Sequence, residues 1–304
     1  MDALVLQRAL GADRTRILPV SGFELDRGPD SQVEPMSLVP MATTAIFIER
    51  LFEHEALRSY SRRIFLPNPE WLSRRDVERA RRTITEVWHK SRFSQTALAT
   101  VFETQVHRYL GFTSFQGAPE VDSHDRIGHF AGKSKSRHTQ DIVDLWLANP
   151  DWPSLTLQLF TPLGISIPRW IEAGGLRLYM GFLPAKEYHA EVRHHGIQLC
   201  TSQMEGFGHY INEARALGAV PIIVDAPPMN ELIDASCGLL VPFERHASYN
   251  FGTRYFASQA AIGDAVRAVL AMPMAARRTM GARARDRYLA EQATFVGRLG
   301  SYLL

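Results

Sequence analysis

Cysteine is scarce in this chain: there are two among 304 residues, Cys200 and Cys237, each inside a short apolar run. Two thiols so placed exclude a disulfide framework and suit a reducing compartment. Long hydrophobic runs are lacking too, and none approaches the ~20 residues needed to cross a bilayer. Met1, Asp2 and Ala3 do not open the basic-then-apolar pattern of a signal peptide. The expectation is a soluble, cytoplasmic protein. Charge of one sign is also missing: 34 Lys and Arg against 32 Asp and Glu leave a net +2, which gives no global case for a nucleic-acid partner. With 45% hydrophobic and 22% charged residues, the composition excludes disordered and fibrous classes. The length accommodates one large domain or two ordinary ones.

What is present is an alternation of short apolar runs with segments of helical period. Strand-like runs fall at 17–20, 44–48, 64–66, 86–89 and 108–112, then at 127–131, 155–159, 178–182, 197–201, 220–224 and 239–241. Helical patterns lie between them at 73–84, 94–103, 140–148, 209–217 and 260–270, with a last one at 282–304. Such alternation predicts an α/β fold on parallel sheets. Runs such as Pro221-Ile222-Ile223-Val224 are continuously apolar, which fits a central strand covered on both faces. The loop-like FQGAPEVDSHD, with Gly117 and Pro119, marks a boundary. Two lobes are expected, at 1–116 and 123–285, joined by a hinge at 117–122, with 286–304 a C-terminal helix packing back toward the first lobe.

The run from His195 to Ile233 is the most informative. It reads as a buried strand, a loop, a glycine-rich turn, a helix and a second strand ending at Asp225. Gly206 and Gly208 flank Phe207 where the helix must begin. Glycines there let the backbone approach a ligand closely, and the free N–H groups of a first helical turn favour an anion. Ile211, Ala214 and Leu217 share a helix face, and Gly218 supplies the stop. Glu205 precedes the helix and Glu213 sits in its second turn. A carboxylate accepts hydrogen bonds from neighbouring hydroxyls, so paired acids suit polyols; two solvated surface acids have the same spacing.

The string EGFGHYINEA, followed by ALGAVPIIVDAPPMNELI and CGLLVPF, resembles the C-terminal lobe of the retaining GT-B glycosyltransferases of the large family-4 group. That resemblance implies two Rossmann-like lobes with a cleft between them. It implies that Glu205 addresses the transferred sugar of a nucleoside-diphosphate donor and Glu213 the ribose hydroxyls. The amides of Gly206, Phe207, Gly208 and His209 are then near the donor's phosphates and sugar. His209 either hydrogen-bonds a phosphate or simply opens the helix.

Upstream, HFAGKSKSRHT places Lys133, Lys135 and Arg137 in one short loop, where like charges repel unless an anion or solvent screens them. The resemblance assigns the donor diphosphate to Lys133 and Arg137. Lysine stands where the family usually has arginine, keeping the charge and losing the fork. In the first lobe, IFLPNPEW and RYLGFTS resemble segments of a bacterial branch of the same group, which puts Asn68 and Glu70 on the acceptor side; a turn built on Pro67 and Pro69 explains them equally well. Arg74, Arg75, Arg79, Arg81 and Arg82 crowd one helix, suiting either anionic headgroups at the inner face of a membrane or plain solvent. His194 and His195 are adjacent and make a poor chelating pair, and no metal is expected.

One departure stands out. Residues 2–10 read as the helix that in the family follows a first strand and its glycine-rich loop, so an incomplete N-terminal lobe is expected. The function expected is transfer of a hexose-type sugar from a nucleoside-diphosphate sugar to a hydroxyl of a glycan, lipid-linked or small-molecule acceptor, with retention and without a metal or further cofactor. The alternative is a sugar-nucleotide-binding subunit, or scaffold, that has lost catalysis; an oligomer suits either. A nicotinamide-dependent oxidoreductase needs a G-x-G-x-x-G after an early strand, and the sequence has none.

Overall fold

The computed structural model describes residues 2–11, 13, 15, 43–51, 55–114, 120–159 and 175–303. The expected strand at 17–20 and part of the expected hinge, 117–119, lie outside them. The chain forms two compact units. The first comprises Met1–Ser114, Tyr249–Gly252 and Thr294–Leu304, and the second Phe115–Ser248 and Thr253–Ala293.

In the first unit, strands β1 (Thr44–Ile48), β2 (Arg62–Leu66), β3 (Glu86–His89) and β4 (Val106–Tyr109) pair in parallel and in sequence order. Helices α1 (Asp2–Leu10), α2 (Arg74–Thr83) and α3 (Arg92–Leu98) accompany them. Every residue of β3 is buried, as its apolar Val87 and Trp88 demand. Helix α2 starts at a capping box: Ser73 Oγ accepts from the Asp76 amide, and the Asp76 carboxylate accepts from the Ser73 amide. Phe65, Leu72, Val77, Ala80, Val87, Leu98 and Phe102 fill the core. Burying a side chain of this size contributes roughly 1.5–3 kcal/mol. Arg74, Arg75, Arg81 and Arg82 of α2 point to solvent. A charged pair is buried in this unit: Lys90, just past β3, donates to Asp2 of α1 at 2.6 Å. The C-terminal segment of the unit packs by aromatic contact, Phe295 against Phe112 at 5.2 Å and Tyr302 against Trp88 at 5.6 Å.

The second unit holds a six-stranded parallel sheet: β5 (Ile127–Gly132), β6 (Leu155–Leu159), β7 (Leu176–Met180), β8 (Ile197–Cys200), β9 (Val220–Val224) and β10 (Leu239–Val241). Its order is β10-β9-β8-β5-β6-β7. From β5 the chain runs outward through β6 and β7, then returns to lay β8, β9 and β10 on the other side. The order therefore reverses between β5 and β8, which pair in parallel with Ile127 opposite Ile197. Strands β6, β8 and β9 are buried at every residue. Strand β9 is continuously apolar, as a strand buried on both faces requires, while β6 and β8 also bury the polar Thr156, Gln158 and Gln198. The helices are α4 (Thr139–Ala148), α5 (Ala185–Arg193), α6 (His209–Ala216), the one-turn α7 (Met229–Leu232), α8 (Gln259–Ala271) and α9 (Met274–Leu303), whose residues from Thr294 onward belong to the first unit. Helix α9 begins eight residues before the predicted start at 282, since Ala, Arg and Met from 274 onward are all good helix formers. Strands β11 (Phe243–Tyr249) and β12 (Gly252–Ala257) form a two-stranded hairpin that the sequence reading did not anticipate.

Candidate functional site

Two loops leave the carboxyl ends of β5 and β8, where the strand order reverses. Open α/β sheets bind ligands at this kind of position, because the chain diverges there and opens a crevice. The loop after β5 carries Lys133, Lys135 and Arg137; the loop after β8 carries Glu205 and leads through Gly206, Phe207 and Gly208 into α6.

Gly208 caps α6 in the left-handed region, with φ at 96°. The torsion calls for glycine, and a Cβ there would also stand 3.1 Å from Ile211 Cδ1 and 3.2 Å from Leu232 Cδ1, so those side-chain ends would have to shift by a few tenths of an ångström. Gly218, with φ at 72°, ends the helix as its position in the sequence predicts. Gly206 and Phe207 are buried beside the cap, and the Phe207 ring meets the edge of His209 at 5.4 Å.

Glu205 is half-buried and tied down. Ser202 Oγ donates to its Oε1 at 2.6 Å, and the same hydroxyl lies 2.8 Å from the phenol oxygen of Tyr210. Arg137 stands over the ring of that phenol, its guanidinium carbon 3.8 Å from the ring centre. Nη1 of Arg137 donates to the Phe130 carbonyl at 2.7 Å, while its buried Nε has no hydrogen-bond partner. Burial opposes the charge on Arg137, but Tyr210, Glu205 and Tyr188 favour it, and its pKa rises above the ordinary arginine value. This cation is held beside acids and phenols with part of its donor capacity unspent. A diphosphate oxygen is a fitting acceptor for that capacity.

Glu213 is buried in α6, with the Tyr188 hydroxyl donating to its Oε2 at 3.3 Å. Burial pushes its carboxyl above the usual range, partly offset by His209 and His189. Retaining such a group costs stability, and costly buried acids cluster at functional sites. Burial likewise raises the phenols of Tyr188 and Tyr210 well above their usual value, so both are neutral donors at physiological pH.

The structure thus gathers Arg137, Glu205 and the start of α6 around Tyr210. Lys133 and Lys135 are exposed in the turn after β5, and Lys133 forms no ion pair among the described residues. In the first unit, Asn68 is buried and donates to Glu49 Oε1 at 2.8 Å; Glu70 is also buried, and its backbone carbonyl accepts from the Asn250 side chain at 2.6 Å. His194 ends α5 and bonds Asp122, while His195 is buried between the Glu191 carbonyl and Thr156 Oγ1. No group of three metal-ligating side chains occurs among the described residues. Sequence reasoning missed Tyr188, Ser202 and Tyr210. Their signal was faint: Ser202 lies three residues before Glu205 and Tyr210 three before Glu213.

Two parallel-stranded α/β units, one carrying this switch-point site, place the chain in the GT-B fold class. The sequence matches no protein-family model and no curated protein. Solved structures do share its fold. HepE of Anabaena, in complex with UDP and glucose, aligns with a TM-score of 0.62 at 15% identity, covering 82% of this chain and 73% of HepE. Sucrose-phosphate synthase of Thermosynechococcus elongatus aligns at 0.59 and 16%, covering 80% of this chain and 67% of the synthase. The pneumococcal O-GlcNAc transferase GtfA, in complex with UDP and GlcNAc, aligns at 0.62 and 12%, covering 86% of this chain and 56% of GtfA. At these identities the likeness defines architecture, and chemistry has to be argued from the residues.

Proposed function

We propose that this chain is a retaining glycosyltransferase of the family-4 type, which moves a hexose-type sugar from a nucleoside-diphosphate sugar to an acceptor hydroxyl. The observation that carries the reading is the convergence of Arg137 and Glu205 at the β5/β8 switch point, beside the N-terminus of α6. HepE and GtfA, which share the fold, are each in complex with UDP and a sugar.

Each residue has a physical task. Glu205, oriented by Ser202, accepts hydrogen bonds from hydroxyls of the transferred sugar. Glu213 accepts the ribose hydroxyls, whose donated hydrogen bonds stabilise its charged form. Arg137, with Lys133 from the exposed turn, neutralises the charge that grows on the departing diphosphate as the sugar–oxygen bond breaks. The amides of residues 206–209 add oriented dipoles at the same place. Asn68 and Glu70 serve the acceptor side. No protein nucleophile is required: the acceptor oxygen bonds the anomeric carbon on the face the diphosphate leaves, and its proton passes to the leaving phosphate oxygen. No metal and no further cofactor enter this scheme.

The test is a panel of UDP-, GDP- and ADP-sugars followed by thermal shift, since a ligand selective for the folded state raises its midpoint. Binding of one nucleotide class, with release of its diphosphate when acceptor is supplied, supports the enzyme. Binding without turnover in any acceptor mixture transfers support to a sugar-nucleotide-binding scaffold, and no binding at all ends the reading.

A further inference from the structure

Strand β12 is bonded into both loops of the candidate site. The Gln203 amide donates to the Ser136 carbonyl at 2.8 Å, joining the two loops, and the Tyr255 amide donates to the Gln203 carbonyl at 2.7 Å, adding the hairpin. Arg254 spans the joint with one nitrogen: Nη2 donates to Ser136 Oγ at 3.1 Å and to Gln203 Oε1 at 2.8 Å. Thr201 Oγ1 donates to the carbonyl of Arg137 itself at 2.9 Å.

His138 closes the set. It is buried, next to Arg137, and adopts the left-handed conformation with φ at 50°. A histidine gains nothing from that conformation alone, so its ring must recover the cost. Nδ1 lies 2.9 Å from the Thr201 carbonyl and therefore carries the hydrogen; Nε2 accepts from the Ala257 amide at 3.3 Å and therefore carries the lone pair. Both ring nitrogens are committed, one to the loop of Glu205 and one to β12. The neutral tautomer is fixed by its partners.

We propose that His138 and Arg254 are positioning residues, which with β12 lock the Arg137 loop to the Glu205 loop and so fix the gap that receives the donor diphosphate. For its ligand the inference rests on the donor reading above; the lock itself does not. It gives a task to a hairpin whose first strand has six exposed residues: the second strand serves as a third wall for the two loops. A pre-set gap spares the donor the entropy of ordering two mobile loops.

Two variants of the full chain test it. His138→Gly permits the left-handed backbone and deletes both ring bonds; Arg254→Met keeps the apolar stem and deletes both guanidinium bonds. In the unliganded protein, amide exchange in residues 131–139 and 199–206 should quicken by about tenfold in either variant, with α8 and α9 unchanged. UDP, GDP and ADP titrations should show about a tenfold loss for Arg254→Met in the wild-type background and almost none in an Arg137→Met background, since the brace acts through Arg137. Unchanged exchange at 199–206 in both variants overturns the lock. Equal losses in both backgrounds overturn the route through Arg137. If the wild type binds none of the three nucleotides, the donor reading fails while the exchange result still decides the lock.

Discussion

Glu213 shows how a single side chain trades stability against binding. Its carboxyl is held above the ordinary value of 4.5 by burial, so over the window above 4.5 the folded state keeps a proton that the unfolded state releases. Stability therefore declines as pH climbs through that window. Glu213→Gln keeps an acceptor for Tyr188 and removes the buried charge. Its unliganded melting midpoint should exceed wild type by about 2 °C at pH 8 and converge on it near pH 4.5. In the same variant nucleotide affinity should fall at least tenfold, the loss of one charged hydrogen-bonding group. Calorimetric melts and nucleotide titrations check the two halves. The positions of both carboxylates and of Arg137 on the β5 and β8 loops and α6 were legible through the resemblance, since the spacing of the two acids alone fits surface residues as well. The Ser202–Tyr210 support was not: those contacts depend on how a loop folds over a helix, which one-dimensional spacing does not encode.

At the level of elements, α9 is fastened to α6 by a charge that water does not reach. Arg215 is fully buried; it donates to Asn212 Oδ1 and to Glu291 Oε2, each at 2.6 Å. Burial pulls its pKa down and Glu291 partly restores it. Removing the partner leaves an uncompensated buried cation, while the partial exposure of Glu291 moderates the cost. Glu291→Ala should lower stability by about 2 kcal/mol, and Glu291→Gln, which keeps the acceptor, by about half that; urea titrations measure both. Sequence reading located most elements well. Helix α1, β1, β3, β6, β9 and β10 have the predicted bounds, since each is a short run with sharp punctuation. Strand β4 was placed two residues late, its exposed Val106 having concealed the start. The β11–β12 hairpin escaped because six of the seven residues of β11 face solvent, so no apolar alternation flags it.

For the molecule as a whole, buried neutral histidines set the acid limit. Burial lowers His89 to about 3 and His129 to about 4, and lowers His138 and His195 as well. Below the ordinary value of 6.5 the unfolded chain takes up protons that these rings refuse, so stability is lost as pH falls from 6.5 toward 3–4. Urea midpoints measured from pH 7 to pH 4.5 should fall steadily. In His129→Gln the slope for the second unit should be shallower by about 1.4 kcal/mol per pH unit, the loss of one proton from the balance. The class of fold was legible at this scale too, since alternating strands and helices leave few architectures open. Among the described residues no helix is long and apolar enough to cross a membrane. The strand order of the second sheet is what a linear pattern cannot give: it is fixed by which strands meet.

Cys200 and Cys237, the chain's entire thiol content, are both free, both buried and both in the second unit. Alkylating reagents can reach them only when that unit breathes, so the wild-type chain carries its own opening clock, with no engineered label. Maleimide incorporation should be slow in the resting protein and slower still with a bound nucleotide, and mass spectrometry would read both rates from unmodified material.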